Sequence, residues 1–156
     1  PAPSPGKNGA EILDAVATGE IRALLLLGPS AILGDGSGTG GPAAAALRKA
    51  QTIVAIDTRP GPATAAAHVV IPGHAHFEKS GSVTNLEGRV QRIRQALPPA
   101  TSTPLETRVL TMLAAELGAR DWGNGDPIMV NRAIGEALPA FRAAGNGGRT
   151  RWESEA

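Results

Sequence analysis

Four groups of residues in this 156-residue chain have types and spacings that could do chemistry. The first, Gly36-Ser37-Gly38-Thr39-Gly40-Gly41, meets the G-x-G-x-x-G spacing of a phosphate-cradling turn, and Asp57 closes the next expected strand. Such a turn works when its first glycine directly follows a strand, so that a helix N-terminus meets the pyrophosphate. Here residues 28–35 intervene, and Pro42 removes an amide that would face a phosphate, so a flexible glycine loop is the better reading. The second, His74, His76 and Glu78, would point one way on an extended strand. A zinc ion needs three or four converging ligands, so these read as loop-packing histidines and no metal is assigned. Third come Ser30, Ser37, Ser80 and Ser82, none of which sits in a G-x-S-x-G elbow, so no catalytic residue is assigned. Last, Arg89, Arg92 and Arg94 with Glu87 beside them read as a solvated edge strand whose charges guard against pairing, with a phosphate or acidic partner as the alternative.

The most informative stretch runs from Glu78 to Gln91. Gly81 and Gly88 would allow positive φ at two bends, Thr84 and Asn85 could bond neighbouring backbone, and Glu87 or Glu78 could pair with Arg89. Such a loop would hold a preorganised polar shape at the carboxyl edge of a parallel sheet, where α/β folds bind ligands.

Composition limits the options. With no cysteine, the chain offers no thiolate for an iron–sulfur cluster, no cysteine nucleophile and no disulfide. Its 15 basic and 14 acidic residues predict no strong attraction to nucleic acid or to anionic lipid. The aromatic fraction of 3% leaves few platforms for stacking bases. The run Ala23–Leu27 is far too short to span a membrane, which takes about 20 apolar residues. Pro1–Gly6 reads as a linker, which suggests a chain cut from a longer protein.

These residues need elements to position them. Ala10–Thr18 reads as a helix capped by Asn8 and ended by Gly19, with Ile12, Leu13 and Val16 on one face. Ile21–Leu27 suits a central strand covered on both faces. Ala43–Ala50 is expected helical and Thr52–Ile56 a second strand, so this part forms a βαβ unit with parallel strands and a right-handed crossover. His68–Ile71 is a third strand, the segment 73–88 a long loop without clean period, and Arg89–Ile93 an edge strand. Thr103-Pro104-Leu105-Glu106 reads as a capping box before a helix presenting Leu105, Val109, Met112, Leu113 and Leu117. Asp126-Pro127 starts another helix, with Val130, Ile134, Leu138 and Phe141 as its buried side. The fold class is α/β, a layered Rossmann-like parallel sheet with flanking helices. Residues 1–8 read as linker, 9–118 as the α/β domain, 119–144 as an additional helix and 145–156 as a disordered tail.

Glu78-Lys79-Ser80-Gly81-Ser82-Val83-Thr84-Asn85-Leu86-Glu87-Gly88-Arg89-Val90-Gln91 resembles a signature of the molybdopterin oxidoreductase superfamily, E-K-x-G-T-x-T-N-x-E-G-R-V-Q after a strand ending in Leu-Pro. It is most similar to the branch that forms the large iron–sulfur subunit (the G subunit) of NADH-quinone oxidoreductase. Ala67–Pro72 stands for the strand and proline, Ala10–Leu27 is similar to the helix and first strand of that family, Ile53–Thr58 to its strand ending in Asp, and Leu105–Gly118 to the helix that follows. The resemblance implies a layered α/β domain whose loops, in catalytic relatives, help enclose a molybdopterin guanine dinucleotide. In the NADH-quinone oxidoreductase branch it implies the fold without the molybdenum cofactor, the iron–sulfur clusters lying in an N-terminal region. This chain departs from the family at Gly28-Pro29-Ser30-Ala31 in place of Gly-Glu-Asn-Pro, at Ala63-Thr64-Ala65-Ala66 in place of a Glu-Thr-Ala stretch, and at His68 in place of Asp.

The expectation is therefore a scaffold with no cofactor of its own, in a parent subunit carrying iron–sulfur clusters. Its partners would be the rest of that subunit and other NADH-quinone oxidoreductase subunits, peripheral on the cytoplasmic side of the inner membrane. Glu78, Gly81, Thr84, Asn85, Glu87, Gly88 and Arg89 would line a vestigial pocket. The alternatives are a fragment of a catalytic, formate-dehydrogenase-like molybdopterin oxidoreductase that touches the pterin dinucleotide, and an independent nucleotide-binding domain using Gly36–Gly41.

Overall fold

The structure is a computed structural model that describes residues 6–28, 42–87, 89–120, 123–138, 141 and 150–151. Within the span 9–118, read above as one domain, the chain divides into two compact units, residues 1–73 and 74–156.

The first unit opens with helix α1, Gly9–Thr18. Asn8 Oδ1 accepts from the Glu11 amide at 3.0 Å and Glu11 returns the bond to the Asn8 amide at 2.7 Å, so two otherwise orphaned donors are satisfied. Gly19 ends the helix with φ of 81°, a conformation that favours glycine. Strand β1, Ala23–Leu27, pairs in parallel with β2, Thr52–Asp57, which pairs in parallel with β3, Val69–Pro72. Helices α2, Pro42–Leu47, and α3, Pro62–Ala66, form the connections. Val16, Leu47 and Ile53 are fully buried, and Ala50 and Ala63 join them against Leu24 and Leu26 of β1. Burying each large side chain contributes about 1.5–3 kcal/mol, which is what holds the helices to this face of the sheet.

One expectation needs correction. Among the described residues β1 is an edge strand of this three-stranded sheet, with β2 in the middle. Its exposure alternates, leaving Leu25 and Leu27 exposed, because an apolar run alone does not report whether one face or two are covered.

In the second unit, residues 74–87, expected as part of a loop without clean period, are more regular than that. A 3-10 turn at His76–Glu78 leads to β4, Gly81–Thr84, which pairs antiparallel with β5, Arg89–Ile93. β5 is not an edge: Thr150–Arg151 forms β6 on its other side. Those two residues are the described part of the tail expected to be disordered. Helix α4, Glu106–Glu116, is capped at Leu105 without a side-chain bond, so the expected capping box does not form. Its buried residue is Ala114, while Met112 and Leu117 are exposed. Helix α5, Pro127–Ala137, has Asp126 as cap, with Oδ1 accepting from the Ile128 amide at 2.7 Å. It buries Gly135 and leaves Ile134 and Leu138 exposed. Of the expected apolar faces, Leu105, Val109, Val130 and Phe141 are half-buried, while the most buried positions of the two helices are the small residues Ala114 and Gly135.

Candidate functional site

The polar segment from Glu78 to Arg89 belongs to the antiparallel hairpin of the second unit. Asn85 closes the hairpin. Its Oδ1 accepts from the Glu87 amide at 3.0 Å and the Arg89 amide at 2.9 Å, and its own amide donates to the Arg89 carbonyl at 3.0 Å. An asparagine suits this place because its short carboxamide substitutes for backbone in a tight turn. Glu87 Oε2 then pairs with Arg89 Nε at 3.1 Å, a half-exposed contact. Thr84 sits opposite Val90 in the ladder. Gly81 is the first residue of β4, opposite Ile93, and not a positive-φ bend. Gly88 lies outside the described residues.

On the N-terminal side, residues 74–80 run along residues 95–106. Ser80 Oγ accepts from the Gln95 amide, and the Phe77 carbonyl accepts from the Ala96 and Leu97 amides. Glu78 divides its carboxylate between the Ala75 amide at 2.8 Å, which caps the 3-10 turn, and the Ala100 amide at 3.0 Å. Lys79 Nζ reaches Glu106 Oε1 at 2.8 Å, and the same oxygen accepts from the His74 amide at 2.9 Å. Burial pushes the Glu106 carboxyl up. The Lys79 hydrogen bond, the Glu106 and His74 amides and the Lys79 charge together outweigh it, so the carboxyl titrates below its ordinary 4.5. His74 is buried, with Nε2 at 3.0 Å from the Thr103 carbonyl and Nδ1 without a hydrogen-bond partner among the described residues. His76 packs edge-on against Phe77, at 5.5 Å between ring centres. The trio His74, His76 and Glu78 thus serves three separate contacts. Among the described residues no three metal-ligating side chains gather around one point.

In the first unit, Asp57 Oδ1 accepts from the Thr58 and Arg59 amides at 2.7 and 3.3 Å, turning the chain at the end of β2. His68, which replaces an aspartate of the pattern described above, pairs with both sides of Ile53. Its amide donates to the Ile53 carbonyl and its Nδ1 accepts from the Ile53 amide. Gly36–Gly41 lies outside the described residues.

Sequence reasoning found Asn85 and the Glu87–Arg89 pair. It missed the role of Glu106, whose 103–106 motif suggested a cap, and the burial of His74. A carboxylate 27 residues from its lysine leaves no local signal.

A pterin guanine dinucleotide would need several unengaged donors and acceptors around a cavity large enough to hold it. Asn85, Glu78, Glu87 and Glu106 are instead bonded to groups of their own unit. A cleft of about 660 Å³ between α2 and α3 is lined mostly by alanines and prolines, with Arg48 its one charged side chain. The described residues therefore do not fit the dinucleotide, and no chemical step is derived through it.

Comparison with known proteins defines the class. The molybdopterin oxidoreductase family matches residues 3–114, well over half of the chain, so this chain belongs to that family. Over 114 residues (70% of the chain and 13% of the relative) it is 40% identical to the NADH-quinone oxidoreductase G subunit of Streptomyces coelicolor. It is 31% identical over 93% of its length to the NADPH-Fe(3+) oxidoreductase subunit alpha of Geobacter sulfurreducens, of which it covers 17%. Its fold matches acetylene hydratase from Pelobacter acetylenicus with a TM-score of 0.65 at 19% identity, over 92% of this chain and 20% of that one. The chain thus spans a fifth or less of each relative's length.

Proposed function

We propose that this chain is a scaffold region of the large iron–sulfur subunit of an NADH-quinone oxidoreductase, the respiratory complex I, and that it maintains geometry without performing chemistry. The observation that carries this reading is the inward engagement of the signature residues. Glu78, Lys79, Asn85, Glu87 and Arg89 bond to backbone, to Glu106 or to one another within their own unit. The identity with the Streptomyces G subunit supports it. In this reading electrons pass from NADH to quinone through iron–sulfur clusters held elsewhere in the parent subunit, since this chain has no cysteine to offer. Its partners are the rest of that subunit and neighbouring subunits, in a peripheral position on the cytoplasmic side of the inner membrane. Among the described residues no helix is long and apolar enough to cross a membrane.

An affinity tag on the natural gene tests this. The tagged protein should co-purify with NADH-quinone oxidoreductase activity. Co-purification with formate oxidation and no NADH oxidation would overturn the proposal.

A second reading makes the chain a fragment of a catalytic molybdopterin oxidoreductase. It is favoured by 28% identity, over 89% of the chain, to a putative formate dehydrogenase of Staphylococcus haemolyticus. There Glu78, Gly81, Thr84, Asn85, Glu87, Gly88 and Arg89 would contribute to a pterin dinucleotide site only once Glu78, Asn85 and Glu87 gave up the bonds they make within their own unit, and the parent would carry a metal ligand upstream.

A further inference from the structure

The turn between α4 and α5, Gly123-Asn124-Gly125-Asp126, has features that no role above uses. Asn124 is exposed, and its Oδ1 accepts from the Asp126 amide at 3.0 Å. The next residue, Gly125, is buried but has no side chain beside its nitrogen, and its N–H meets no acceptor among the described residues. We propose that Asn124 is a site of spontaneous deamidation, and that this turn promotes the reaction.

The Gly125 nitrogen, after losing its proton, attacks Cγ of Asn124. A C–N bond forms and the Cγ–Nδ2 bond breaks, with ammonia leaving and a five-membered succinimide left behind. Water then adds to one of the two ring carbonyls and opens the ring to aspartate or isoaspartate. The net change is one amide plus water giving one carboxylate plus ammonium, with no oxidant or reductant. The Asp126 amide is already aimed at the oxygen on which negative charge develops, so it is a preorganised donor for the intermediate.

The same dipeptide at Asn8-Gly9 provides an internal comparison. There the capping box holds Asn8 from both ends and its backbone is fixed at ψ of 174°. The succinimide ring requires rotation away from that value, so the cap opposes it.

The product would disturb the fold locally. Gly125 has φ of 76° and lies so close to α4 that an added Cβ would come within 2.6 Å of the Arg108 backbone. Its carbonyl also accepts a hydrogen bond from Thr107 Oγ1. An isoaspartyl link lengthens the backbone by one methylene between Asn124 Cα and the Gly125 nitrogen, which shifts the neighbouring Gly125 out of its close seat against α4.

The full chain is incubated in mildly alkaline buffer, folded and in urea, and its peptides are mapped by mass spectrometry with enzymatic methylation to detect isoaspartate. Conversion at Asn124 should lead that at Asn8, and the ratio of the two should be several-fold higher in the folded chain than in urea. A ratio in urea that equals or exceeds the folded one, or conversion of Asn8 first, overturns the proposal.

Discussion

Replacing Glu106 with glutamine tests the fastening of the signature segment most sharply. The carboxylate accepts from Lys79 Nζ at 2.8 Å and the His74 amide at 2.9 Å, and its side chain is 20% exposed against 33% for Lys79. Glutamine keeps one acceptor oxygen for His74 and removes the charge that Lys79 faces. A hydrogen bond to a charged group contributes about 1.5–3 kcal/mol, and partial exposure reduces that, so we expect a loss of about 1.5 kcal/mol. For a chain of this length that corresponds to a fall in Tm of roughly 3–6 °C. The pH dependence follows from the lowered carboxyl. Above the ordinary glutamate value of 4.5 the wild-type contribution is complete, and it drains away as pH falls through the lower folded-state value. Thermal melts of both proteins should therefore differ at neutral pH and converge as the pH is taken below 4.5. Equal melting temperatures at neutral pH, or a gap that stays constant into acid, would refute this reasoning.

Three pairs of substitutions probe the two units. Asn85→Ala removes the acceptor for the Glu87 and Arg89 amides, so amide exchange at those positions should accelerate, with about 1–2 kcal/mol lost, while Asn85→Asp should retain most protection. Gly125→Ala should cost well over the roughly 1 kcal/mol expected for Gly19→Ala: both have positive φ, but only Gly125 lies against backbone, and chemical denaturation will separate them. Gly88→Val should lower the Tm more than Gly38→Val, because Gly88 belongs to the specific segment and Gly38 to a glycine-rich loop.

What the sequence disclosed was mostly local. Asn8 and Gly19 carry their capping chemistry within a turn of the helix they bound, so α1 was readable to within a residue. The strand Thr52–Asp57 was readable because β-branched residues suit a pleated, buried surface. Asn85 could be assigned to its own turn because its bonds also stay within a few residues. The hairpin strand Gly81–Thr84 was not visible, since Gly-Ser-Val-Thr has no alternation and its partner lies across the turn. Nor was the burial of Ala114 in α4 and Gly135 in α5, because a small residue adds little to a hydrophobic pattern. The contacts Lys79–Glu106 and His74–Thr103 depend on how distant segments meet, so the fastening of the signature segment needed coordinates.

The central claim is that the fold of a pterin enzyme serves here as scaffold. Metal analysis of the intact complex purified through this chain, with NADH–quinone activity measured on the same sample, tests it most directly. The account predicts NADH oxidation coupled to quinone reduction, iron present, and molybdenum and tungsten at background. Molybdenum or tungsten near one atom per complex would contradict it.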